Sequence, residues 1–513
     1  MNRRDFLAAL TAGAAAAGPG GAAPASRPNI LMIGVDDMND WVGCLGGYPG
    51  VQTPNIDRLA RRGVLFANAH CAAPVCNPSR TALFTGLRPS TTGIYDNEQY
   101  WRPALPGVLT IPEYFRKNGY YAAGAGKVLH HVAGFNPPDQ WDEFQLQVFD
   151  DPWYRRPAWY PWVKHEPTPS GYPYNGIRNF PGEFDWGVLP NSAQPSTRDG
   201  VVLVQERPEA EYGDMKAVEW AGRFLSKKHE KLFFAAVGLW HPHIPMFTPQ
   251  HYLDLYPGDK VNLPIVPEDD LDDVPAQAKK FAEARRDELE RIQKEGKWRD
   301  MVRAYLASIS FADAMVGRVL DSLDQSPYAH NTIVVFWSDN GWHLGEKRHV
   351  HKSTLWQRST HVPLIIAGPV TRDNGRTRSQ PVSLLDLYPT FVDLCGLPAR
   401  ADLQGQSLRP LLESSRASHP PVVTTYWPGN HSVRDERWRY TRYVDGGEEL
   451  YDEKADPNEF HNLASNPQYR SVKERLARFA PEKSAAPKPE RSAYDFDYEH
   501  YEFHLKSTPA QVR

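Results

Sequence analysis

Three continuous apolar runs constrain what this 513-residue chain can fold into. Residues 29–35 (NILMIGV), 232–239 (LFFAAVGL) and 332–338 (TIVVFWS) lack the polar alternation of a half-exposed strand. Runs of that kind are buried on both faces, as in the strands of a parallel sheet. Helical stretches separate them. Residues 55–63 and 110–119 are amphipathic and end in Gly, and residues 210–225 and 298–323 continue the alternation. Shorter strands are expected at 64–66, 120–125 and 362–367, and a helix from Ser383 over 382–394. Residues 276–295 read as one charged helix with a solvated face. Strands alternating with helices predict an α/β domain over 27–400, built on a large doubly wound mixed sheet flanked by helices.

Beyond Gly405 the texture changes. Short strands at 422–426, 438–443 and 449–451 and a helix at 469–479 predict a smaller antiparallel sheet plus helix over 401–480. Residues 481–513 show no pattern that places them. Residues 133–200 carry Trp141, Trp153, Trp159, Trp162 and Trp186 among many prolines. That length without a period argues for a functional insertion, read as part of a substrate wall.

The net charge of −4 lacks the basic surplus of a nucleic-acid binder. Four cysteines make no disulfide framework, and one bridge among Cys44, Cys71 and Cys395 stays open. Arg3-Arg4 before Phe6-Leu7 and a weakly apolar stretch resembles a twin-arginine export signal, with Ala23-Pro24-Ala25 as a cleavage site closing a leader over 1–25. No segment is long and apolar enough for a stable membrane span. The expectation is an exported bacterial protein, periplasmic or extracellular, handled by the twin-arginine machinery.

Polar groups follow the strands. Asp36-Asp37 ends the first run, Lys127 and His130 follow the strand at 120–125, His241 and His243 follow the second run, and Asp339-Asn340 ends the third, with Lys352 beyond. In open α/β sheets that end of the strands is where ligands bind. Asp36, Asp37, Asp339 and Asn340 are hard oxygen donors that suit Ca²⁺ or Mg²⁺. Lys127, Lys352 and Arg80 suit a tetrahedral anion. His130, His241 and His243 can move protons near neutral pH. Cys76 starts a helix that runs to a Gly stop at Gly86, with Arg80 one turn on. Read alone, that Cys is either buried packing or a nucleophile seat at the positive end of a helix.

The stretches VDDM, CNPSRTALFTG, GKVLH, PHIP, SDNGWHLGEKRHVHKSTLW and YDEKADPNEFHNLA occur in this order between residues 35 and 464. This set resembles the type I, formylglycine-dependent sulfatases of the alkaline-phosphatase superfamily, in the iduronate-2-sulfatase-like branch. The resemblance implies an alkaline-phosphatase-like fold and hydrolysis of sulfate monoesters on sulfated glycans. It implies that a maturation enzyme oxidises Cys76 to formylglycine. Asp36, Asp37, Asp339 and Asn340 would hold Ca²⁺ (or Mg²⁺), with residue 76 adding an oxygen. Arg80 would hold the modified residue, Lys127 and Lys352 would clamp the sulfate, and His130 would act on the hydrated aldehyde. His243 fits the leaving-group acid, with His241 as second candidate, and His343 and His431 would face the sugar. Hydrolysis of a phosphate or phosphonate monoester, or of a small choline or aryl sulfate, remains open on the same motifs.

Overall fold

The computed structural model describes residues 27–130, 134–145, 197–198, 201–202, 209–244, 246, 248–371, 374–497 and 500–506. The leader over 1–25 and most of the aromatic insertion lie outside them. The first apolar run forms β1 (Asn29–Asp36). It is joined by β2 (Gly63–Phe66), β3 (Tyr121–Gly126), β4 (Glu143–Gln145), β5 (Phe233–Pro242), β6 (Thr332–Ser338), β7 (Leu364–Ala367) and β8 (Arg376–Arg378) in one sheet. The strand order is β8-β2-β7-β6-β1-β5-β3-β4. Pairs from β6 through β4 are parallel, whereas β7 runs antiparallel to both neighbours, so the sheet is mixed as expected.

Alternate faces of these strands feed two cores. Ile33, Val35, Val237 and Phe336 point toward α1 (Pro54–Arg62), α4 (Gly213–Ser226) and α7 (Trp298–Asp324). Met32, Phe234 and Val335 point toward α2 (Cys76–Thr85), α3 (Ile111–Lys117) and α8 (Leu387–Leu394). Helices on both sheet faces explain why the strands read as unbroken apolar runs.

Several local expectations are corrected. The charged segment is two helices, α5 (Ala276–Glu283) and α6 (Arg286–Lys294), not one. Ala278 and Ala282 pack with Leu355, Trp356 and Tyr443, while Leu289 and Ile292 pack into the main core. Serving two cores turns the chain at Ala284-Arg285. The segment from Val382 starts as a two-residue strand against Ala69–His70, passes through a 3₁₀ turn, and becomes helical only at Leu387. All four cysteines are free. Trp141, expected in a substrate wall, is buried against Phe144 and Phe234 in the core.

The smaller sheet has four antiparallel strands, β9 (Val422–Thr425), β10 (His431–Arg434), β11 (Trp438–Arg442) and β12 (Glu448–Asp452), with α9 (Arg470–Ala477) packed on it. The sequence reading lacked β10. The tail then returns across the larger domain as a strap. Ala485 and Lys488 donate backbone N–H groups to Ser90 and Gly93, and Arg491 pairs with Glu98. A terminal hairpin, Tyr494–Asp497 with Glu502–Leu505, packs on Tyr100.

The joint between the two sheets is polar and buried. Lys347 binds Asp270 at 2.7 Å, and Arg439 binds both Glu453 (2.9 Å) and Glu459 (2.7 Å). Burial, reinforced by Glu459, pushes the Glu449 carboxyl up from the ordinary 4.5 to about 8. Burial and Glu453, opposed by Arg439, push Glu459 up to about 7. Folded-state values above the unfolded one mean that the native chain binds more protons. The associated stability is present below about pH 4.5 and is lost as pH rises toward 8. The melting temperature is therefore expected to fall by on the order of 5 °C between pH 5.5 and 8.5. Glu449→Gln should flatten that fall in a calorimetric pH series; an unchanged slope would contradict the assignment.

Candidate active site

Sheet register builds the site. In the parallel pair β1–β6, Val35 lies opposite Ser338, so Asp36-Asp37 and Asp339-Asn340 leave the sheet side by side. In β1–β5, Asp36 lies opposite Pro242 across a register shift, which brings His243 to the same edge. In β3–β5, Gly126 lies opposite Gly238, and Lys127 follows. A Cβ on Gly238 would sit 2.1 Å from the Lys127 carbonyl carbon, so a larger residue would push Lys127 away.

Helix α2 brings Cys76 and Arg80 to this edge. All ten of its residues are buried, and it stops at Gly86, whose φ of 73° suits Gly. The Ser79 hydroxyl donates to the Asp339 carbonyl at 2.6 Å, which fastens the helix to the end of β6. The Arg80 guanidinium donates to Asp339 Oδ2 (2.7 Å) and to the Val128 carbonyl (2.9 Å), and lies 3.5 Å from Asp36. It is fully buried and stacks over Trp337. The Cys76 thiol donates to Asp36 Oδ1 at 3.4 Å and receives the Lys352 ammonium at 2.7 Å. Lys352 also binds Asp37, and Lys127 binds Asp36 while lying 4.1 Å from the centre of the Trp240 ring.

The carboxylates do not share one electrostatic state. Burial would raise Asp36, but Lys127, Arg80 and Lys352 together hold it well below its ordinary range. Burial dominates at Asp37, where Asp36 and Asp339 add repulsion against the pull of Lys352, and its carboxyl is pushed up to about 7. Asp339 is also raised by burial and by Asp36, against the pull of Arg80. Lys352 is raised because Asp37, Cys76 and Asp36 outweigh its desolvation.

This donor set fits a divalent cation. Carboxylate oxygens of Asp36, Asp37 and Asp339 lie within 4.8 Å of one another. Asp37 Oδ2 and Asn340 Oδ1 are buried oxygens with no hydrogen bond, while the Asn340 amide donates to Asp37 Oδ1 at 2.6 Å. Buried, unbonded, hard oxygens converging on one place are costly unless a cation shares them. Asp37 also adopts a left-handed φ of 61°, uncommon for a residue with a side chain. Its carbonyl accepts the Tyr305 hydroxyl at 2.7 Å, and its N–H donates to Asp339 at 3.1 Å.

The expected residues mostly converge. Asp36, Asp37, Cys76, Arg80, Lys127, Asp339, Asn340 and Lys352 form one contact network, and His243 Nε2 reaches Asp37 Oδ2 at 3.5 Å. His130 is buried edge-on against Phe135, three residues past Lys127. His241 is turned to Asp214, with its Nδ1 2.6 Å from Oδ2. His343 and His431, expected to face the sugar, are engaged by neighbouring groups of the fold. Both are fully buried. His343 contacts the Glu346 carbonyl and the Thr354 hydroxyl, and His431 contacts Thr425 and Ser484. Burial lowers both imidazoles, His431 to about 4, so each is neutral at physiological pH.

Supporting residues outside the sequence reading are Ser79, Tyr305 and Asn77. The Asn77 amide donates to the carbonyls of Asp96 and Gln99, each at 2.8 Å, and its backbone N–H donates to Asn97 Oδ1 at 2.9 Å. Asn77 lay within the quoted motif, so its place beside Cys76 was the available signal. Tyr305 lies within the helical stretch at 298–323, among apolar neighbours that carry no such signal.

A sulfatase family model matches residues 28–397. The chain belongs to the sulfatase family. A second model, the C-terminal region of N-sulphoglucosamine sulphohydrolase, matches residues 345–484 of this sulfatase. A sulfatase of Formosa agariphila is 37% identical over 90% of this chain and 87% of its own length. Iduronate 2-sulfatase of Mus musculus is 34% identical over 72% of this chain and 69% of its own. Among solved structures, a 2-O GAG sulfatase superposes with a TM-score of 0.62 at 25% identity, covering 88% of this chain and 91% of that one. This sulfatase is accordingly a sulfuric ester hydrolase on an alkaline-phosphatase-like fold, in a family that uses a metal and a formylglycine.

Proposed function

We propose that the chain removes sulfate monoesters from sulfated glycans, using residue 76 as formylglycine. The observation that carries this is the seat of Cys76, at the head of a buried helix, with Lys352 on its sulfur and Asp36 on its other side. The glycan assignment is supported by relatives named for iduronate and GAG desulfation. Oxidised and hydrated, residue 76 would supply a hydroxyl nucleophile in place of the thiol. Ca²⁺, held by Asp36, Asp37, Asp339, Asn340 and residue 76, would neutralise developing charge and lower the pKa of that hydroxyl.

The other steps belong to side chains. Arg80 fixes Asp36 and Asp339, and so sets the floor on which residue 76 rests. Lys127 and Lys352 present ammonium groups to the anionic sulfuryl oxygens, where charge is worth most in a water-poor site. His243, the imidazole on the Asp37 side, gives a proton to the departing sugar oxygen. His130 takes the proton of the remaining hydroxyl of residue 76, which lets sulfate leave by elimination.

The test is sulfate release from a panel of sulfated oligosaccharides, run beside an aryl sulfate and an aryl phosphate. Sulfate turnover is the expected result; a large preference for phosphate would overturn the reading. Dialysis against a chelator is expected to lower activity by about 100-fold or more, with Ca²⁺ restoring it. Retained activity after complete metal removal, checked by elemental analysis, would contradict the cation assignment.

Maturation by a formylglycine-generating enzyme and export through the twin-arginine machinery belong to the same proposal. They are supported by the sequence at Cys76–Arg80 and at Arg3-Arg4. Among the described residues no helix is long and apolar enough to cross a membrane. N-terminal sequencing of the exported protein should begin near Ser26.

A further inference from the structure

The turn joining β9 to β10 is Tyr426-Trp427-Pro428-Gly429-Asn430, closed by the Tyr426 N–H on the Asn430 carbonyl at 3.1 Å. Trp427 sits in it at a φ of 59°. A left-handed turn position favours Gly or Asn, and an aromatic residue there costs roughly 1 kcal/mol. The indole is half-buried. One face of it is stacked on Tyr95, with ring centres 6.3 Å apart and planes within 21°.

Two separate routes tie this stack to the nucleophile. On one side, the Tyr426 hydroxyl meets the side chains of Trp427 and Ser353. Ser353 directly follows Lys352, whose ammonium lies on Cys76, and its N–H donates to the carbonyl of Pro74 at 3.1 Å. On the other side, Tyr95 leads into Asp96 and Asn97, which hold the side chain and backbone N–H of Asn77, the residue after Cys76. The stack is therefore linked to both segments that carry the sulfate site, the one with Lys352 and the one with Cys76.

The strap locks it in place. Its Ala485 carbonyl accepts the Tyr95 hydroxyl at 2.8 Å, and its Ser484 hydroxyl accepts the Gly429 N–H at 3.2 Å. One tail segment thus fastens Tyr95 and the turn that carries Trp427 before any ligand arrives.

We propose that Trp427, backed by Tyr95, is the platform for the pyranose ring that carries the sulfate ester. This rests on the sulfatase reading and names the subsite beyond the sulfate. The apolar face of C–H groups on a pyranose matches the electron-rich face of an indole. A flat platform fixes the ring's plane without reading individual hydroxyls. The platform contacts the sugar alike before and during reaction, so it acts on KM and leaves kcat nearly constant.

The test uses the full chain with Cys76→Ala, so that nothing turns over. It is titrated with unsaturated sulfated disaccharides from heparin, chondroitin sulfate and ulvan digests, by calorimetry and by tryptophan fluorescence. Adding Trp427→Ala is expected to weaken the best-bound disaccharide about tenfold or more, whereas Trp427→Phe stays within about threefold. Equal affinities for Trp427 and Trp427→Ala chains, with both folded by circular dichroism, would overturn the platform. So would failure of every disaccharide to bind while the unmutated enzyme still hydrolyses an aryl sulfate; the sulfatase reading would then stand. Trp427-dependent binding in a chain that hydrolyses no sulfate ester would support the platform and sink the sulfatase reading alone.

Discussion

Cys76→Ala is expected to lower sulfate release by at least about 10⁴-fold, because the reacting group is removed and no neighbour can replace it. Among the nearby side chains, Asp36, Asp37 and Asp339 are committed to cations, and Lys127 and Lys352 are ammonium groups. None offers a hydroxyl at the place of the Cys76 sulfur. The thiol makes only long contacts to carboxylates, 3.4 Å to Asp36 and 4.0 Å to Asp37, and accepts from Lys352, so its loss should cost little stability. Activity and folding therefore separate in this variant. Sulfate release measured beside a melting curve checks it, and a Cys76→Ala enzyme with residual activity above about 1% would contradict the nucleophile assignment.

Arg80→Met is expected to act on both quantities. The guanidinium is fully buried and balances Asp36 and Asp339. Removing one partner of a buried ionic cluster leaves charges without compensation, which costs about 3–5 kcal/mol. Arg80→Lys should lie between the two. It keeps the positive charge but loses the planar fork that serves Asp339 and the Val128 carbonyl together. Chemical denaturation of the three proteins orders them. Equal stability of Met and wild-type enzymes would show that Arg80 is not the counter-charge of the cluster.

The legible part of this protein is the part where burial leaves a mark on the sequence. A strand covered on both faces must be apolar throughout, so 29–35, 232–239 and 332–338 declared themselves, and so did the polar residues placed just after them. What brings those residues together is register, in particular Val35 opposite Ser338 and Asp36 opposite Pro242. Register is a property of pairs of strands, and no single strand displays it. The inward bonding of His343 and His431 was illegible for a related reason. A histidine bonded inward looks the same in a sequence as one facing a ligand, and their neighbours Thr354, Thr425 and Ser484 are distant or ordinary residues. The strap over 484–491 was illegible because much of its docking is through backbone N–H and carbonyl groups, which every sequence possesses. Strand β10 (HSVR) is too short and too polar to announce itself, although β9 and β11 flank it in the sheet.

The proposed chemistry requires that residue 76 is no longer cysteine in the working enzyme. Trypsin should release residues 63–80, which contain Cys71 and Cys76 and end at Arg80. In active enzyme from the native host, that peptide is expected to weigh about 18 Da less than the coded sequence, and fragment ions should place the difference at residue 76. Fully active enzyme whose peptide carries an unaltered Cys76 would contradict a formylglycine nucleophile.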